Sequence, residues 1–141
     1  MENTFNIRFY KPEDYSQVKA IYQGKGAWFR EGVDDEERLR TKIKRDPESI
    51  LVAEKAGKVV GTISLIEDGR HAFIVRLAVL ESERDKGIGS KLLQEAERIL
   101  MGRGLKKINI LVSETEEDLY DYYEKRGYKR GLKHLWMYKD L

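Results

Sequence analysis

The 141 residues carry 27 basic and 25 acidic side chains mixed along the chain, and a net charge of +2 is no electrostatic footprint for DNA or an anionic membrane. At 40% hydrophobic residues the length suits one domain, residues 1–141, and no stretch approaches the ~20 apolar residues that span a bilayer. Cysteine is absent and the only histidines are His71 and His134, which excludes disulfides and thiolate chemistry and leaves too few soft ligands for a structural zinc, so no metal is expected.

Met1-Glu2-Asn3-Thr4 lacks a basic and apolar signal region, so cytoplasmic residence is the expectation. Phe5, Ile7 and Phe9 then alternate with polar neighbours, the period of a strand that ends near Tyr10. Pro12 suits the first turn of a helix, along which Tyr15, Val18, Ile21 and Tyr22 recur at helical spacing until Gly24 and Gly26 stop it. After an irregular stretch from Lys25 to Val33, Asp34 is placed to cap a charged helix reaching about Arg45, closed by Pro47. Ile50 to Lys55 and Lys58 to Ile66 flank Ala56-Gly57 as the arms of an antiparallel hairpin, and Asp68-Gly69 marks the next turn.

The strand Phe73 to Leu80 comes next, then Arg84-Asp85-Lys86-Gly87-Ile88-Gly89, then a helix on which Ile88, Leu92, Leu93, Ala96, Ile99 and Leu100 form one apolar stripe. Lys107 to Val112 reads as a strand, and Ser113 or Thr115 can cap a helix to about Arg126 that Gly127 terminates. Leu132 to Tyr138 reads as a last strand, with a short extra one around Tyr128 to Arg130. The order is β-α-α-β-β-β-α-β-α-β, mostly antiparallel by its hairpins, with one parallel crossover between Phe73 and Val112.

The glycine pair after a strand and before a helix has the character of an anion cradle. Glycine lets the backbone approach a ligand, and the helix start directs its first N–H groups and positive dipole end at the same point. Arg84 and Lys86 add charge-assisted donors. Leu92 stands where a dinucleotide fingerprint needs its third glycine, and no G-x-x-x-x-G-K-[ST] register exists, so the signal is for a phosphate-bearing ligand other than nicotinamide or ATP.

With these residues the chain resembles the GNAT superfamily of acyl-CoA dependent N-acetyltransferases. Arg84-Asp85-Lys86-Gly87-Ile88-Gly89 is similar to its Gln/Arg-x-x-Gly-x-Gly/Ala motif, Val59-Val60-Gly61-Thr62 to its third strand, Leu77-Ala78-Val79 to its fourth, and Tyr123 to Tyr128 to its Tyr-x-x-x-Gly-aromatic signature. The resemblance implies an α+β fold: a three-layer α/β/α arrangement around a twisted, mostly antiparallel sheet of 6–7 strands with about four helices. It also implies acetyl-CoA as cosubstrate. The main chain of Leu77, Ala78 and Val79 would pair with pantetheine, and Arg84, Asp85, Lys86, Gly87, Ile88, Gly89 and Ser90 would grip the pyrophosphate. Tyr123 would give a proton to the departing thiolate. Glu116 stands where relatives often carry Asn, and Thr115 is placed to remake that contact.

The strand Phe73 to Leu80 contains none of the catalytic carboxylate many relatives place there, so the base stays open among Glu67, Asp68, His71 and water. Trp28, Phe29 and Tyr22 are candidates for walls of an acceptor pocket, with Glu67 as a further substrate contact. The leading expectation is transfer of an acetyl group from acetyl-CoA to a primary amine of a small molecule or peptide. The alternative is a coenzyme A binding module of the same fold with little catalysis, and a weaker third is an RNA-associated protein reading phosphates. No nucleic acid or membrane partner is expected, and a homodimer is common among look-alikes.

Overall fold

Ala56 and Gly57 both take positive φ, 51° and 80°, the pair of values that a two-residue turn needs to match the twist of the strands it joins. They connect β2 (Ile50–Lys55) to β3 (Lys58–Glu67), as the sequence predicts. In this computed structural model residues 4–24 and 29–141 are described, and they form two compact units, 1–110 and 111–141.

In the first unit β1 (Asn6–Phe9), β2, β3 and β4 (Ala72–Val79) form one antiparallel sheet in that order. Pro12–Asp14 is a short 3-10 turn leading into α1 (Tyr15–Gln23), and α2 (Glu36–Arg45) follows before β2. Val18, Ile21 and Tyr22 of α1 and Leu39 of α2 pack with Ile50, Val52, Val59 and Ala78 on one face of the sheet. The other face takes α3 (Ile88–Gly102), whose six predicted stripe residues are all buried. The unit is thus layered helix, sheet, helix, the arrangement that hides an apolar stripe on either side of a sheet.

Gly61 permits the close approach of that second layer. A Cβ built on it meets Ile88 Cγ2 at 3.1 Å and Leu92 Cδ1 at 3.2 Å, with the Ala78 carbonyl at 3.4 Å. Gly61→Val is therefore expected to cost about 1–3 kcal/mol by overpacking, read as a lower denaturation midpoint.

The sequence reading differs from the structure in several places, the short strand expected around Tyr128 to Arg130 among them, since none is assigned there. Asp34 does not cap α2: its side chain is buried elsewhere, and Asp35 is the N-cap residue. Lys107 to Val112 pairs at one position, where Phe73 and Asn109 form a parallel bridge through Ile74 N–H to Asn109 O (3.0 Å) and Asn109 N–H to Ala72 O (2.8 Å). This is the expected parallel crossover, begun and not extended. Four strands, against an expected 6–7, are assigned among the described residues.

In the second unit α4 (Glu117–Glu124) ends ahead of Gly127, whose φ of 94° is the left-handed conformation foreseen for a terminator. Glu116 takes the N-cap position without a side-chain bond, because Ser113 and Thr115 bond each other, Oγ to Oγ1 at 2.9 Å. Leu132 to Tyr138 has no strand assigned, and Leu132, Leu135, Trp136, Met137 and Tyr138 are exposed. Alternation sets an extended local conformation, whereas a strand needs a partner for its ladder bonds. No described helix is long and apolar enough to cross a membrane.

Candidate functional site

The cradle stands at the junction of β4 and α3. After β4 the chain makes the 3-10 turn Glu81–Glu83, which Leu80 anchors to the sheet through its N–H and the Val60 carbonyl at 2.9 Å. Asp85 and Gly87 both take left-handed backbone, φ 62° and 84°, with extended Arg84 before them. The first bond of α3 runs from Lys91 N–H to Gly87 O (3.1 Å), so the amides of Ile88, Gly89 and Ser90 precede the i to i−4 ladder, and the N-cap residue Gly87 has no side chain to cap it. This is the backbone geometry that collects an anion, and nothing lies within 4 Å of a Cβ built on Gly87.

Charges around it are mixed. Arg84 folds back, its Nε 3.4 Å from the Val79 carbonyl, and so ties the loop to the end of β4. Glu83 accepts bonds from Lys55 Nζ (2.8 Å) and Lys86 Nζ (3.3 Å), and the two ammonium groups hold its carboxyl below the usual carboxylate range. Lys55, Arg84 and Lys86 stand beside Glu81, Glu83 and Asp85, so basic and acidic groups balance around the turn.

β4 is interrupted just before the cradle. Thr62 faces Ala78 and Ser64 faces Val75, so the single residue Ile63 opposes both Arg76 and Leu77. Arg76 takes a φ of 57° there, a conformation that costs an L-residue about 1–2 kcal/mol. This is a β-bulge, and it takes main-chain groups out of the ladder in the segment the sequence assigned to a ligand. Among the described residues, pairing on the outer edge of β4 is confined to Phe73 with Asn109. Of Leu77, Ala78 and Val79, only Ala78 is buried, packed with the α1 layer.

Phe29 packs half-buried against the cluster of Tyr10, Val18 and Tyr22, with Lys19 Nζ 5.2 Å from its ring centre. Tyr22 is buried, which pushes its phenol up to about 12. Trp28 lies outside the described residues. Glu67 sits at the opposite end of β3 from Gly61, roughly 20 Å along the strand. Its Oε2 meets Arg103 Nη1 at 3.0 Å and its Oε1 accepts the Gly69 N–H at 2.7 Å. The same guanidinium holds Asp46 and Glu48. Glu67→Gln is accordingly expected to cost up to about 1 kcal/mol of stability with the acceptor KM unchanged, and a raised KM would restore Glu67 to substrate binding.

Asp68 and His71 belong to the β3–β4 turn. The N–H groups of His71 (2.7 Å) and Arg70 (2.9 Å) hold the Asp68 carboxyl at about 2, and the exposed His71 ring stands 3.6 Å from it. Both thus lie in the turn and take part in its local bonds.

Within the second unit, Tyr123 lies edge-on to Tyr122 (ring centres 5.2 Å apart) and Tyr128 (5.7 Å). Burial, then the neighbouring Tyr122 and the charge of Glu116, pushes its phenol up to about 12, with Arg126 opposing. Tyr120 OH donates to Ser113 O at 3.2 Å, and Arg126 covers the Tyr122 ring at 3.6 Å, so these two aromatics brace the unit around Tyr123. Sequence reasoning missed Asp34 and Arg76. An arginine in an otherwise apolar strand was the available signal, and it reads as a half-exposed position until its partner is known.

Residues 14–128 match the model of the acetyltransferase (GNAT) family. Over 123 residues, 87% of this chain and 86% of the relative, the chain is 32% identical to an acetyltransferase of Sodalis glossinidius (strain morsitans). An acetyltransferase of Yersinia enterocolitica is 31% identical over the same shares. Among solved structures, Ard1 from Thermoplasma volcanium superposes with a TM-score of 0.80 at 24% identity, covering 91% of this chain and 84% of that one. PaiA N-acetyltransferase from Thermoplasma acidophilum in complex with coenzyme A gives 0.77 at 23% identity, covering 89% and 90%. Both structures share the fold of this chain.

Proposed function

Because the chain belongs to the acetyltransferase (GNAT) family, we propose that residues 1–141 act as one cytoplasmic domain that moves an acetyl group from acetyl-CoA directly to a primary amine. The observation that carries the reading is the left-handed pair Asp85 and Gly87 at the start of α3, directly after a bulged β4. It supports a pyrophosphate held by the amides from Lys86 to Ser90, with pantetheine running along Leu77, Ala78 and Val79. The coenzyme complex of the similar PaiA acetyltransferase supports the same ligand.

In this reading the deprotonated amine attacks the thioester carbonyl, and a main-chain N–H near Leu77 to Val79 meets the charge developing on its oxygen. The C–S bond then breaks. Tyr123 hydrogen-bonds the departing sulfur and supplies its proton, while the amine proton leaves to water and the tyrosinate regains a proton from water. Thr115 and Glu116 would contact the coenzyme from the segment before α4, and Phe29 would border the acceptor.

The test is calorimetry with acetyl-CoA, followed by thiol release on a panel of polyamines, amino acids, aminoglycosides and peptide N-termini. Saturable heat and acceptor-dependent thiol release are expected. Binding without release from any amine would favour a coenzyme-binding module, and no binding would remove the reading.

A further inference from the structure

We propose that the ion pair of Arg76 and Asp34 is a positioning device for the acyl transfer, locking the β4 bulge to the segment that precedes α2; this rests on the acetyltransferase reading above. Glycine would take a φ of 57° without strain, so what an arginine adds at this position is its side chain. That side chain reaches across 42 residues of sequence to make a two-pronged contact, Nε to Asp34 Oδ1 at 3.2 Å and Nη2 to Asp34 Oδ2 at 2.7 Å. The pair is shielded, with side-chain exposures of 18% and 6%, and the guanidinium also lies 5.5 Å from the centre of the buried Tyr22 ring.

Asp34 is itself held by three further bonds, two with Arg30 and one with Tyr15. Its Oδ2 accepts the Arg30 N–H at 2.9 Å, its own N–H donates to Arg30 O at 2.8 Å, and its carbonyl accepts the Tyr15 hydroxyl at 2.9 Å. Asp34 thus joins three segments: its main-chain carbonyl meets Tyr15 of α1, and its carboxylate meets the Arg30 N–H and the bulge. The bulge in turn sets the direction of the Leu77 main chain, the group that meets the thioester in the proposed reaction. A buried pair of this kind is weak evidence for stability alone, since desolvation offsets most of the attraction. It is strong evidence for a fixed angle, because a planar fork on a carboxylate admits one geometry.

The pair's side-chain bonds run between Arg76 and Asp34, outside the residues 84–90 that form the cradle, so its loss is expected to act through orientation. Asp34→Asn and Arg76→Lys are the variants, one removing the charge and the other the fork. With each folded by circular dichroism, kcat is expected to fall roughly tenfold to a hundredfold, while calorimetric affinity for acetyl-CoA stays within about threefold. Asp34→Glu, which keeps the carboxylate, is expected to recover part of the lost kcat.

Unchanged kcat in folded Arg76→Lys and Asp34→Asn would overturn the proposal. So would a loss of kcat and coenzyme affinity in equal measure, which marks a purely structural role, or failure of both variants to fold. Failure of the acetyltransferase reading is separate: the unaltered protein would then bind no acetyl-CoA at all.

Discussion

A Tyr123→Phe variant is expected to bind acetyl-CoA as the parent does and to turn over about a hundredfold more slowly, the low end of what a positioned proton donor contributes. The magnitude follows from the phenol's environment. Burial pushes Tyr123 up to about 12, so it is protonated across the working range, yet an ordinary thiol titrates near ~8.5. Complete transfer to a resting thiolate is therefore uphill. The phenol helps by hydrogen-bonding the sulfur while negative charge develops there, and the proton crosses as the product leaves.

The pH dependence has a definite sign. A phenol raised in the folded state contributes stability that is whole below its unfolded value near ~10 and is lost as pH rises from there through about 12. No alkaline fall in kcat below about pH 10 should trace to Tyr123, and ultraviolet titration should show its tyrosinate appearing late. Equal kcat in Tyr123→Phe would make the residue a packing tyrosine, held by Tyr122 and Tyr128.

Gly87→Val is expected to weaken acetyl-CoA binding at least tenfold by calorimetry and to lower the denaturation midpoint by a few degrees. At a φ of 84° a β-branched residue loses about 1–2 kcal/mol or more, and the chain escapes that cost by leaving the left-handed region. Nothing lies within 4 Å of the added Cβ, so the strain is in the backbone alone. Rotating Gly87 turns the amides of Ile88 and Gly89 away from their common focus, and about 1.4 kcal/mol of lost hydrogen bonding is already tenfold in affinity. Affinity equal to the parent's in a folded Gly87→Val would show that the ligand sits elsewhere.

Much of this molecule was legible from short-range pattern. The Ala56-Gly57 hairpin, the stripe from Ile88 to Leu100, Gly127 as a terminator and the glycines of the cradle all rest on turn chemistry or periodicity within a few residues. Such signals are written in consecutive side chains, and the backbone obeys them with little regard to what packs outside. Asp34 shows the limit. Its place ahead of a charged helix is that of a cap, and the local reading is sound until Arg76 supplies a stronger partner from 42 residues away.

By itself, then, the sequence determined the hairpins, the helices and the glycine-bearing turn ahead of α3, together with the family they resemble. Only the tertiary structure decided that β4 is broken at Arg76, that Asp34 is buried against it, and that Glu67 serves Arg103 at the far end of β3. A bulge is one residue of mismatch between two strands, and an ion pair is a meeting of distant side chains. Neither exists until the chain has folded around it.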